Sequence, residues 1–70
     1  MKVSKENYDK LAIGMTFEEV TEILGKADTK SETDMGEFGK MELWHFQLGY
    51  KAIDVFFEDG KVIDKSWTEL

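Results

Sequence analysis

Two periodicities divide the chain. Between Thr16 and Leu24 the apolar positions recur at helical spacing, and beyond Asp28 they alternate. Phe17, Val20, Ile23 and Leu24 fall at i, i+3, i+6 and i+7, one stripe of an amphipathic helix. Thr16 and Glu19 have the spacing of a capping box, in which each side chain satisfies the other residue's backbone N–H. Glu18 and Glu19 occupy the first turn, where the helix dipole favours acids. Gly25 follows the last apolar residue as a stop, with Lys26 near the negative end. Upstream, Ser4 is placed to cap a short helix running to about Lys10. Tyr8 and Leu11 are its apolar contacts, and Gly14 breaks it before the second helix begins.

In the second half, "KMELWHFQL" puts Trp44, Phe46 and Leu48 on one face and Leu43 and His45 on the other. "GY" turns the chain, and "KAIDVFFE" alternates again, with Ile53, Val55 and Phe57 together. "DG" is a strong two-residue hairpin signal and "KVIDKSW" returns. "TKSETDM", ahead of the loop "GEFG", is a further strand candidate, the one with the least patterning. With Gly49–Tyr50 as a turn, Phe46 faces Ile53 and Trp44 faces Val55, so the large apolar residues share a face. The predicted fold class is α+β: two N-terminal helices packed on one face of a three- to four-stranded antiparallel meander sheet. Residues 1–70 are expected to form one domain.

The register of the last strand has two solutions. A two-residue Asp59–Gly60 turn sets Phe57 against Val62 on the core face. It also sets Phe56 against Ile63 and Ala52 against Trp67 on the open face. A three-residue turn with a glycine bulge slips the register and sends Ile63 and Trp67 inward. The tight turn is preferred because Asp-Gly favours it.

Composition narrows the function classes. Seventy residues bury only about 60% of their unfolded surface, so the core is marginal, and a packed core or self-association must stabilise it. There is no cysteine, which excludes disulfides and thiolate metal sites. Fifteen acids against nine bases give a net charge of −6, and no basic stripe interrupts it, so no nucleic-acid partner is expected. No apolar run approaches the roughly 20 residues of a membrane helix, so no direct membrane insertion is expected. "MKVSKENYDK" has no signal-peptide pattern. The expected location is the bacterial cell envelope or extracellular space if a leader was removed, and the cytoplasm if the chain is complete.

"IGMTFEEVTEILGKAD", "ELWHF" and "IDVFFEDGKV", in that order, resemble the SmpA/OmlA-type envelope lipoprotein domain, whose fold is shared by each half of β-lactamase inhibitory protein. Gly14, Met15 and Thr16 match the Gly-Met-Thr before the family's helix. Val20, Leu24 and Gly25 match within and after it. Trp44 and Phe46 match the Trp-x-aromatic strand, and Phe57, Asp59, Gly60 and Val62 match the hairpin. The family usually has a proline where this chain has Ala27, and a leader with a lipidated cysteine that this chain lacks. The resemblance implies a two-helix, antiparallel-sheet domain that binds proteins. In one branch such domains support envelope assembly, and in the other the open sheet face presses on an enzyme. The matched residues form the fold and carry no site with them.

No catalytic constellation accompanies that frame, and neither a metal nor a cofactor site is expected. His45, the only histidine, faces Asp54 across the hairpin, and a cross-strand pair is preferred over a proton-transfer element. Glu18 and Glu22 share a helix face without an oxygen-rich loop, and read as a solvated surface. "GEFG" lacks a phosphate-loop pattern and reads as a hairpin end. Phe38 at its tip is expected to fold back over the sheet edge in preference to anchoring in a partner. The candidate protein-binding residues are Leu43, His45, Phe56, Ile63 and Trp67, one apolar-aromatic patch on the open face. The alternative is the slipped register, which buries Ile63 and Trp67 and leaves Phe56. The expected function is a non-enzymatic interaction module, envelope-associated or otherwise, whose open face meets another protein or a second copy. The competing version is a steric inhibitor of a secreted enzyme.

Overall fold

A computed structural model describes residues 2–70. Two short helices, α1 (Lys5–Lys10) and α2 (Phe17–Leu24), precede β1 (Thr29–Asp34), β2 (Lys40–Leu48), β3 (Lys51–Glu58) and β4 (Lys61–Glu69). One 3-10 turn, Gly36–Phe38, joins β1 to β2. The strands form a single antiparallel sheet in the order β1-β2-β3-β4, so the fold is α+β with a four-stranded meander.

Local chemistry accounts for both helices. The Ser4 side chain accepts from the Asn7 N–H at the start of α1. At the start of α2, the Thr16 N–H donates to Glu19 Oε1 at 3.0 Å and the Glu19 N–H to Thr16 Oγ1 at 3.3 Å, a reciprocal capping box. Gly25 ends α2 with φ +79°, its N–H donating to Thr21. What orients α2 is a contact far off in sequence. The Gly14 N–H donates to the Val62 carbonyl and the Val62 N–H to the Met15 carbonyl, so the segment before α2 runs as a short ladder along the start of β4.

The β2–β3 register pairs Phe46 with Ile53, Trp44 with Val55 and Leu43 with Phe56. Trp44, Phe46, Ile53, Val55 and Phe57 are all buried, and they cluster with Val20 and Leu24 of α2 and with Leu11. Each such side chain contributes about 1.5–3 kcal/mol when fully buried. Phe17 stacks on Trp44 with centroids 5.1 Å apart, and Phe57 lies 4.6 Å from Trp44, a ring cluster at one end of the core. Among the described residues no polar side chain is buried, so the core itself holds no chemistry.

Thr29–Asp34, the weakest strand candidate, is a regular strand whose six residues are all exposed, so the sheet has the larger of the two expected strand numbers. Pairing with β2 alone makes it a strand. The structure departs from the sequence expectation at two other places. The last strand takes neither expected register. Asp59 and Gly60 both have positive φ, as a type I′ turn requires, and Phe57 faces Val62. The ladder then shifts by one residue, and Phe56 pairs with Asp64, which leaves Ile63 as the extra residue of a bulge. The Asp64 carboxylate accepts the Lys65 N–H at this bulge. Beyond it every side chain changes face. Trp67, expected on the open face, pairs with Ile53 and packs against the core, its ring 5.8 Å from that of Tyr8. The shift covers the larger apolar residue and leaves the smaller outside, since Ile63 remains 41% exposed. The second departure is Phe38, which does not fold back and is 73% exposed.

Candidate functional site

The face of the sheet opposite the buried rings follows from strand alternation. β2 contributes Met41, Leu43, His45 and Gln47 to it, and β3 contributes Ala52, Asp54 and Phe56. Leu43 and Phe56 are direct cross-strand partners, and both are half-buried. With Met41, Ser31 and Thr33 they line a shallow depression of about 230 Å³. Ile63 stands at its margin, one residue before the Asp64 that faces Phe56. The expected patch therefore keeps Leu43, His45, Phe56 and Ile63 together and loses Trp67 to the core edge. Met41 joins it, and the same alternation through positions 41, 43 and 45 would have found it.

Beside the apolar pair lies a polar cluster. His45 Nδ1 is 2.6 Å from Asp54 Oδ1, and Nε2 is 2.8 Å from Gln47 Oε1. The Gln47 amide donates to the Gly49 carbonyl, which turns its oxygen toward the imidazole. Both ring nitrogens thus face acceptors, and only the imidazolium donates to both. The Asp54 hydrogen bond, then that of Gln47, with the charges of Asp54 and Asp28 adding, raises the His45 pKa above its ordinary 6.5. The next residue in the row is Ser66, which pairs with Asp54. The carboxylate lies between serine and histidine, Thr29 pairs with His45 on the other side, and both imidazole nitrogens are engaged by Asp54 and Gln47. Among the described residues no group of three or more His, Asp or Glu side chains converges on a metal-sized point.

A second concavity lies on the other face, toward the β1 edge. It measures about 500 Å³ and is lined by Phe17, Glu18, Thr21, Lys30, Glu42 and Trp44. Lys30 Nζ sits 4.2 Å from the Trp44 ring centroid, and the Trp44 indole N–H donates to Glu42 at 2.7 Å. Nothing in the sequence pattern signalled this groove, because it forms between side chains of α2, β1 and β2 that are far apart in the chain.

A family model described as Beta-lactamase inhibitor (BLIP) matches residues 4–70. Comparison with curated proteins and with solved structures gives no significant match.

Proposed function

Because the chain belongs to the beta-lactamase inhibitor (BLIP) family, we propose that it is a non-catalytic protein-binding module that docks on an enzyme and blocks it sterically. The docking surface is the open sheet face around Leu43, His45, Phe56 and Ile63. Val20 and Leu24 of α2 and Leu11 cluster with the buried strand residues Trp44, Phe46, Ile53, Val55 and Phe57, which alternate away from this surface. The observation that carries the reading is the Leu43–Phe56 pair, two large apolar side chains that flank a depression and are only half-buried among the described residues. Aromatic side chains at the centre of such patches are the usual anchors of protein interfaces. The His45–Asp54–Gln47 cluster supplies a polar rim held in one geometry.

The test is inhibition of a panel of secreted hydrolases that includes β-lactamases, using the intact chain, Phe56→Ser and Leu43→Ser. The expected result is saturable inhibition of at least one enzyme, weakened about thirtyfold or more by either substitution, the loss of a hot-spot side chain. Circular dichroism should show both variants folded. Inhibition that survives both substitutions removes the open face from the interaction. Absence of inhibition across the panel overturns the inhibitor function.

A further inference from the structure

The two edges of the sheet are not alike. The outer side of β4 is covered at its start by Gly14–Thr16, through the Gly14–Val62 and Val62–Met15 hydrogen bonds, and the bulge at Ile63 distorts it further. β1 has neither protection. It pairs without interruption with β2 from Thr29 to Asp34, contains no proline, and has no strand on its other side among the described residues. A regular free edge is a template for another strand.

We infer that two copies of this chain associate through antiparallel pairing of their β1 strands about a two-fold axis at Ser31. The charges of the strand choose this register. With Ser31 opposite its own copy, Lys30 faces Glu32 of the second chain, and the symmetry makes that ion pair twice, flanked by Thr29–Thr33 pairs. Sliding the pairing by two residues one way sets Lys30 against Lys30, and the other way sets Glu32 against Glu32. Opposite charges directly across a ladder stabilise and like charges destabilise, so the strand accepts one alignment and rejects its neighbours.

Asp28 and Asp34 meet at the ends of this pairing, but each is already engaged within its own chain. Asp28 accepts the Gln47 N–H at 2.7 Å and Asp34 the Gly36 N–H at 2.9 Å. Lys30 and Glu32 lie on the side of the 500 Å³ groove, whose other charged walls are Glu18 and Glu42. An incoming Lys30 therefore meets Glu18, Glu32 and Glu42 together with the chain's own Lys30 and with Lys40, whose ammonium lies 3.9 Å from the exposed Glu32 carboxylate. Residues of equal parity oppose one another across the axis, so both open faces emerge on the same side of a continuous eight-stranded sheet. The association does not use Leu43 or Phe56, and it shares with the open-face depression only Ser31 and Thr33 at its β1 border.

The absence of native cysteine makes a direct test available. Ser31→Cys places two thiols across an antiparallel pair with Cα atoms about 4.5–5.5 Å apart, within disulfide reach. In oxidising buffer it should cross-link rapidly, whereas Thr33→Cys, which faces Thr29, should not. Equal cross-linking of the two variants, or none, overturns the register. Sedimentation equilibrium at about 0.15 M salt, where the repulsion between two chains of charge −6 is largely screened, supplies the second arm. The native chain and Phe56→Ser should dimerise alike. Lys30→Glu should weaken the dimer about tenfold or more, and Lys30→Glu with Glu32→Lys should restore it. A native chain that stays monomeric, or a double swap that does not restore the dimer, refutes the pairing. Loss of dimer in Phe56→Ser would move self-association to the open face instead.

Discussion

Replacing His45 by Gln should remove a pH dependence of stability that the native chain carries. In the folded protein both imidazole nitrogens face oxygen acceptors, Asp54 at 2.6 Å and Gln47 at 2.8 Å, so the folded state prefers the charged ring. Its pKa lies above 6.5, chiefly through the Asp54 hydrogen bond and next through Gln47. Folding therefore binds this proton more tightly than the unfolded chain does. The resulting stabilisation is complete below the unfolded pKa and disappears as pH rises through the folded one. A hydrogen bond between charged partners contributes about 1.5–3 kcal/mol. Here the two side chains remain 33% and 24% exposed, and solvent screening lowers the expected contribution to about 1 kcal/mol. Urea denaturation at about pH 5.5 and about pH 8.5 reads it directly, the window in which an ordinary histidine titrates. The native chain should lose about 1 kcal/mol between the two pH values. Asp54→Asn should lose less, and His45→Gln should show none of the histidine's share. The N-terminal amine also titrates in this window but is common to all three chains, so the differences isolate His45. A native chain whose stability is flat or rises with pH, or a His45→Gln variant with the native slope, refutes the reasoning.

The bulge and the loop at the same end of the sheet give two further tests. Trp67→Ala should cost about 2 kcal/mol, a half-buried fraction of the usual Trp truncation, while Ile63→Ala should stay within about 0.5 kcal/mol, so a reversed order in thermal denaturation would place Ile63 inside and remove the bulge. Gly39→Ala should destabilise by about 2 kcal/mol. Its new Cβ would stand 2.5 Å from Asp59 Oδ1 at a backbone φ of +88°, and Asp59 would lose its bond to the Lys40 N–H; an unchanged midpoint would show that the Gly39–Asp59 contact does not constrain the fold.

How much of this was legible in the sequence depends on the distance between the residues concerned. The capping box needs only Thr16 and Glu19, three residues apart, and it formed as the spacing implied. The β2–β3 hairpin was equally readable. A two-residue turn and unbroken alternation define its register, and the Leu43–Phe56 and His45–Asp54 pairs follow from it. The candidate site was thus readable where it lies on that hairpin. β1 was hard to read because a strand exposed on both faces has no reason to alternate, and its conformation comes from the β2 edge beside it. Phe38 carried no pattern that distinguishes a folded-back loop from an exposed one.

The sequence by itself determined the helices, the hairpin and the sign of the surface charge, because those depend on neighbours within a few residues or on composition alone. Only the tertiary structure decided which side of β4 faces the core. Asp59–Gly60 specifies a tight turn, and a tight turn alone would have put Trp67 on the open face. The opposite outcome depends on Tyr8 and on the Lys65 ammonium, which donates to the Tyr8 carbonyl across 57 positions of the chain. The same is true of the sheet edges. The Gly14–Thr16 segment reads locally as a helix start, and its ladder with β4 exists only once the chain has folded back. That contact closes one edge of the sheet and leaves β1 as the open one, a choice that no local pattern encodes.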